Sequence, residues 1–182
     1  MRRIRYSVAM SLDGYIAGPN GEFDWIDMDP SAGAEYFKAF YAQFDTAIMG
    51  RKSFELAKGA VKPLKTFVVS RTLPPGELRD VTVLGDDALE RIAELRGQAG
   101  KDIWLWGGGE LFGSLVTAGL VDTVEVGIIP VLLGAGRKVM AACERRIKLV
   151  QRPTKLKLPD HTLLVFDVQK SKPERRHASK AG

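Results

Sequence analysis

IWLWGGGELFGSLVTAG, residues 103–119, sets three consecutive glycines between four apolar residues and a stretch with the look of a helix. Glycine loses more backbone freedom on folding than any other residue, so three together need a reason. Ile103 to Trp106 reads as a buried strand, and Glu110 to Ala118 reads as a helix closed by Gly119. The bare backbone at Gly107, Gly108 and Gly109 then serves either a tight strand-to-helix turn or an anion held at the helix start, where unpaired N–H groups gather.

The same alternation extends in both directions. Ile4 to Ser11 (IRYSVAMS) is a first strand, followed by the glycine- and acid-rich loop LDGYIAGPNGEFDWIDMDPSAG. A helix is expected from about Ala34 to Phe44, with Phe37, Phe40, Tyr41 and Phe44 on one face at i, i+3, i+4, i+7 spacing. That stripe is read chiefly as core, with one or two rings free to line a substrate cleft; Trp25, Phe37 and Tyr41 are the substrate-side candidates. Thr46 to Met49, Thr66 to Ser70 and Val81 to Leu84 are short apolar strands. RKSFELAKG (51–59) is a short helix capped by Gly59, and Asp86 and Asp87 offer N-caps for a helix Ala88 to Gln98. Val121 to Ile129 is a strand broken by Pro130, and Ile147 to Lys157 with Thr162 to Gln169 form a closing hairpin around Pro159-Asp160. Unbroken apolar runs are how parallel strands buried on both faces look. The expectation is a three-layer α/β domain over residues 1–168, with a mixed, mostly parallel sheet, helices on both faces and a C-terminal antiparallel hairpin.

Composition bounds the function. The net charge of +5 is concentrated in residues 169–182, a basic tail expected to be disordered, and the rest of the chain carries about +1. A specific nucleic-acid module is therefore not expected. No run approaches the roughly 20 apolar residues of a membrane span, and no signal-peptide core follows Met1, so the expectation is a cytoplasmic protein. The lone Cys143, read as a small buried hydrophobe, excludes an internal disulfide. His161 is placed in the hairpin turn and His177 in the tail, so neither is read as a base or ligand, and no metal site is expected.

Three strand ends share one chemistry. Met49 is followed by Gly50-Arg51-Lys52-Ser53, Val69 by Ser70-Arg71-Thr72, and Trp106 by the triple glycine. Ligands of open α/β sheets bind beyond such carboxyl ends. Two glycine-led helix starts could hold the ends of a pyrophosphate, with Arg51, Lys52 and Arg71 supplying further donors. The usual nucleotide signatures are absent: Phe112 and Val139 stand where GxGxxG needs its third glycine, and no GxxxxGK[ST] exists.

Taken in order, SVAMSLDGYIAG, TAIMGRKSFE, FVVSRTL, IWLWGGGELFGSL and VDTVEVGIIPVLLGAGRKV resemble the dihydrofolate-reductase-like superfamily. The nearer branch contains the reductase domain of bifunctional riboflavin biosynthesis proteins, and the likeness covers about residues 4–168. The resemblance implies NADPH. Gly50, Arg51, Lys52 and Ser53 match the segment on the cofactor's phosphates, and Ser70 and Arg71 match the strand end that takes the 2′-phosphate. Gly107, Gly108, Gly109, Glu110 and Leu111 match the pyrophosphate turn, while Ala9, Ile16 and Ala17 match backbone beside the nicotinamide. A homodimer joined through the late strands also follows by analogy.

Proton chemistry carries over less well. Dihydrofolate reductases place an acid on the first helix, about where Gly33 or Ala34 stands. Glu35 is the nearest carboxylate, but one residue along a helix turns a side chain by roughly 100°. Asp13 either serves a substrate proton or caps its own turn with Gly14. The zinc-deaminase signature that accompanies the bifunctional proteins is missing. The resemblance implies an NADPH-dependent reductase that passes hydride to a C=O or C=N carbon of a small heterocyclic substrate, above all a 5-amino-6-(5-phosphoribosylamino)uracil-type compound. Dihydrofolate reductase proper and a non-catalytic nucleotide-binding module are the alternatives. The phosphate of such a substrate would need a further basic site, which the sequence does not mark.

Overall fold

The computed structural model describes residues 1–26, 34–141, 143, 146–153 and 161–170. In chain order the elements are β1 (Ile4–Ser11), β2 (Tyr15–Ala17), α1 (Ala34–Tyr41), β3 (Phe44–Gly50), α2 (Arg51–Ala57), β4 (Lys65–Val69), β5 (Gly76–Leu78), β6 (Val81–Leu84), α3 (Ala88–Gly97), β7 (Asp102–Gly107), α4 (Gly109–Thr117), β8 (Thr123–Ile129), β9 (Arg137–Lys138), β10 (Leu149–Gln151) and β11 (Thr162–Val168).

Among the described residues, the main sheet runs β10-β11-β8-β1-β7-β3-β4-β6-β5. Its central strands, from β8 to β6, are parallel, while β11, β10 and β5 are antiparallel to their neighbours. Helices cover both faces, as the apolar runs predict. On one face α3 and α4 bury Ile92, Leu95, Phe112 and Leu115 against Ile4, Tyr6, Ile48, Leu105, Val124 and Val126. On the other, Phe40 of α1 packs with Phe44, Ala47, Leu64 and Trp104, and Phe54 of α2 packs with Met49, Val68 and Val81. Burying each of these side chains contributes about 1.5–3 kcal/mol.

Several boundaries differ from the sequence reading, each for a local reason. α1 stops at Tyr41, and Phe44 opens β3 instead of closing the helix stripe. Phe40 and Phe44 still meet, with ring centroids 4.9 Å apart, because the chain reverses between them. The helix at 51–57 ends on Lys58 in the left-handed conformation, not on Gly59. Asp87 stands at the start of α3 without a side-chain cap bond. The edge strand β5 and the two-stranded β2–β9 sheet were not expected; at two or three residues each, they are too short to leave a period in the sequence. The turn at Pro159-Asp160 lies outside the described residues. Gln169 and Lys170 remain attached to the domain through the Lys148 carbonyl and Asp122. Cys143 is half-buried beside the Thr117 hydroxyl, not buried as a core residue. No helix among the described residues is long and apolar enough to cross a membrane.

Candidate functional site

The parallel register brings the three glycine- and arginine-bearing strand ends to one edge. Met49 pairs with Gly107, and Gly50 pairs with Val69, so Gly50–Ser53, Ser70–Arg71 and Gly107–Leu111 follow one another along it. α2 and α4 both begin there, with their first N–H groups directed at the same rim. Gly50 is extended, and a Cβ on it would meet nothing within 4 Å. A Cβ on Gly107 would come no closer than 3.5 Å to the Ser53 hydroxyl, which sits between the two helix starts. Gly108 has φ 92° and ψ 108°, a backbone that side-chain-bearing residues avoid.

The third glycine has another use. A Cβ on Gly109 would collide with the Lys138 carbonyl oxygen of β9. The space it leaves is filled by protein, and the Gly109 carbonyl accepts the Ala141 amide at 3.1 Å. β9 in turn pairs with β2, the Val139 amide donates to the Gly14 carbonyl at 3.0 Å, and the Tyr6 hydroxyl donates to the Val139 carbonyl at 2.9 Å. The SLDGYIAG loop, the LLGAGRKV segment and the GGGELF turn are thus laced into one wall.

Asp13 belongs to that lacing. Its carboxylate accepts from the Ser11 hydroxyl at 2.6 Å and from the Gly134 amide at 2.7 Å, with the Leu133 amide at 3.2 Å. The Ser11 bond, then these amides, hold the carboxyl below its ordinary range. The geometry matches a clasp between the two loops. Glu35 is exposed in the first turn of α1. Arg51 is paired with Glu55 at 2.7 Å, and Lys52 and Arg71 are exposed. The Ser70 hydroxyl accepts the Thr72 and Leu73 amides, which fixes the turn that carries Arg71. Trp25 donates to the Glu22 carbonyl; Phe37 is half-buried and Tyr41 exposed on α1.

A split opens beside this rim. β1 pairs with β7 only from Ile4 to Tyr6, then keeps β8 alone as partner through Ser11, while β7 follows β3 to Gly107. The Trp104 indole wedges the base of the split by donating to the Ser7 carbonyl at 3.2 Å. Ala9 lies above it, on β1, and Ile16 and Ala17 lie in β2, on the laced loop.

On the α1 side of the sheet the structure shows polar groups that the sequence reading passed over. Arg5 grips Glu125 with two bonds, 2.5 and 2.9 Å, and lies 4.7 Å from the centroid of Phe44. Burial works against the Arg5 charge, but Glu125 and Asp102 more than offset it and raise its pKa. Tyr36 faces the same pair; burial, then the Glu125 charge, push its phenol up. The available signal was a charge of each sign inside otherwise apolar central strands, IRYSVAMS and TVEVGII.

The family model for the RibD C-terminal domain matches residues 2–168. The chain belongs to the RibD C-terminal domain family. Two proteins of Bacillus subtilis strain 168, both described as uncharacterized, are similar to it. YyaP is 38% identical over 165 residues, covering 81% of this chain and 85% of that protein, and YwjB is 33% identical over 155 residues, covering 81% and 88%. Among solved structures, a candidate riboflavin biosynthesis protein from Shewanella sp. PV-4 superposes with a TM-score of 0.78 at 24% identity, covering 93% of this chain and all of that one. RibD from Acinetobacter baumannii gives 0.70 at 19% over 93% of this chain and 59% of that one. Dihydrofolate reductase from Enterococcus faecalis, complexed with NADP(H), gives 0.65 at 18% over 92% and 97%. These likenesses establish the dihydrofolate-reductase-like fold for this member of the RibD C-terminal domain family.

Proposed function

We propose that this chain is an NADPH-dependent reductase acting on a small heterocycle of the ribosylated aminopyrimidine type. The observation that carries the reading is the shared rim: two helix starts, Ser53 between them and Arg71 at the next strand end, all set beside the split between β1 and β7. The space left beside Gly50 and Gly107 and the donors around it fit a dinucleotide diphosphate. Arg71, held out by the Ser70 turn, would take a 2′-phosphate. When bound, the cofactor supplies the hydride. The chain's part is position: the laced loops cover the split, and Arg5, Glu125, Tyr36 and Trp104 shape a half-buried polar floor on the α1 side. No carboxylate from the described first turn of α1 is buried toward the sheet, since Glu35 is exposed, and this weighs against dihydrofolate as the substrate.

The test is NADPH consumption by the purified chain, with 5-amino-6-(5-phosphoribosylamino)uracil and dihydrofolate as rival substrates, beside a fluorescence titration with NADPH. Turnover of the aminopyrimidine compound supports the reading. Turnover of dihydrofolate alone overturns the substrate class, and tight binding without turnover of either leaves a binding module.

A further inference from the structure

His161, which sequence spacing put in a hairpin turn with no role, lies against β8 of the main sheet. In the β8–β11 ladder Thr162 stands opposite Ile128 and Leu163 opposite Gly127. Phe166 packs with the α3–α4 core, so Leu163 and His161, odd-numbered along the same strand direction, take the opposite face, with α1. The contact with Gly127 agrees. A Cβ on Gly127 would lie 3.3 Å from His161 Cδ2 and 3.8 Å from Nε2, so the imidazole occupies the space that this glycine leaves.

Gly127 is also the β8 partner of Ala9. Ala9 lies beyond the last β1–β7 pair, so its other edge borders the split. Adjacent strands are about 4.8 Å apart, so the imidazole over Gly127 lies roughly one strand spacing from Ala9, whose far edge borders the split. The strand residues of that row, Ala9, Gly127 and Leu163, have no proton to give.

We infer that His161 is the proton donor to the substrate, an inference that rests on the reductase reading above. Imidazole is the side chain suited to give and regain a proton near neutral pH. As the carbon of a C=O or C=N group gains hydride, its π pair moves to the heteroatom. That atom takes the proton from a ring N–H of the imidazolium: the ring N–H bond breaks, an O–H or N–H bond forms on the substrate, and the neutral ring regains its proton from water. Gly127 is the positioning residue, because any side chain there would push the ring off this row.

The test uses the full chain and has two readouts. In proton NMR, the His161 ring signals, assigned by their loss in His161→Asn, move when NADP⁺ is added, while those of His177 stay. In turnover with NADPH and the aminopyrimidine substrate, His161→Asn lowers kcat by about a hundredfold or more, the size of a lost general acid, with the KM for NADPH little changed. Gly127→Ala, whose Cβ displaces the ring by a few tenths of an ångström, lowers kcat by a smaller factor while the chain stays folded. If NADP⁺ binds but the His161 signals do not move, or His161→Asn keeps its full kcat, the proton-donor role is overturned and the reductase reading stands. If NADP⁺ does not bind the unchanged protein, the reductase reading falls and the role falls with it.

Discussion

Gly109 and Lys138 meet backbone to backbone: the Lys138 carbonyl oxygen stands where a Cβ of Gly109 would have to be. One glycine of the three therefore makes room for the protein's own second sheet, whereas Gly50 on the neighbouring helix start leaves its space open. The two sites predict opposite phenotypes. Gly109→Ala forces β9 away from α4, and overpacking of this kind costs about 1–3 kcal/mol, read as a lower Tm. Gly50→Ala has an ordinary backbone and no neighbour within 4 Å, so Tm is kept while the affinity for NADPH falls, by titration. Equal loss of stability in both variants would contradict this division of labour.

On the function proposed above, Arg71 would decide between NADPH and NADH. Its side chain is exposed, and the turn that presents it is fixed by the Ser70 hydroxyl. A hydrogen bond to a charged group contributes about 1.5–3 kcal/mol, so Arg71→Ala should weaken NADPH by roughly tenfold or more. The affinity for NADH should hardly change. Paired titrations of both cofactors measure the ratio.

The Asp13 clasp makes the lacing of the two loops sensitive to acid. Its carboxyl pKa is lower in the folded chain than in the unfolded one, so its contribution is fully present above the ordinary carboxylate pKa and is lost as pH falls through the folded value. Between pH 5 and 8 the clasp holds. Below about pH 4, near the unfolded pKa, the Leu133 and Gly134 amides should begin to lose their protection, measured against the intrinsic exchange rate at each pH. Asp13→Ala should remove that protection already at neutral pH, while amides of the central strands, such as Ile48 and Leu105, keep theirs. Hydrogen exchange read by NMR checks both.

The sequence carried the layers of this fold well and its edges poorly. Apolar runs such as TAIM and IWLW are long enough to declare strands buried on both faces, and all of those strands appear. β2 and β9 owe their pairing to partners over 120 residues away, through Tyr15–Lys138, and two or three residues hold no period. The rim of strand ends was legible because glycine and arginine at strand ends are local features; the register then sets them along one edge. The clasp by Asp13 and the place of His161 were not, since both depend on which distant backbone stands opposite. Arg5 and Glu125 were visible as charges of opposite sign in apolar strands, but only the β1–β8 register makes them partners.

That pair carries the last prediction. The Arg5 and Glu125 side chains are only 13% and 5% exposed, and they bond doubly beneath α1. Breaking a buried pair leaves one charge uncompensated and costs about 3–5 kcal/mol, more than the pair itself contributes over an apolar substitute. Glu125→Leu strands Arg5, whose remaining partners, Gln43 at 2.6 Å and Asp102 at 3.4 Å, lie at its outer end. Arg5→Met strands Glu125, buried on β8 beneath α1. Each single variant should lower Tm on the order of 10 °C. The double variant Arg5→Met/Glu125→Leu removes both charges and should recover much of that loss, giving a coupling of at least about 1 kcal/mol in a double-mutant cycle. Its affinity for NADPH should stay near that of the unchanged chain, because neither residue touches the phosphate rim. Additive losses of stability would mean that the two side chains do not act as a pair, and a matching loss of NADPH affinity would move the floor into the cofactor site.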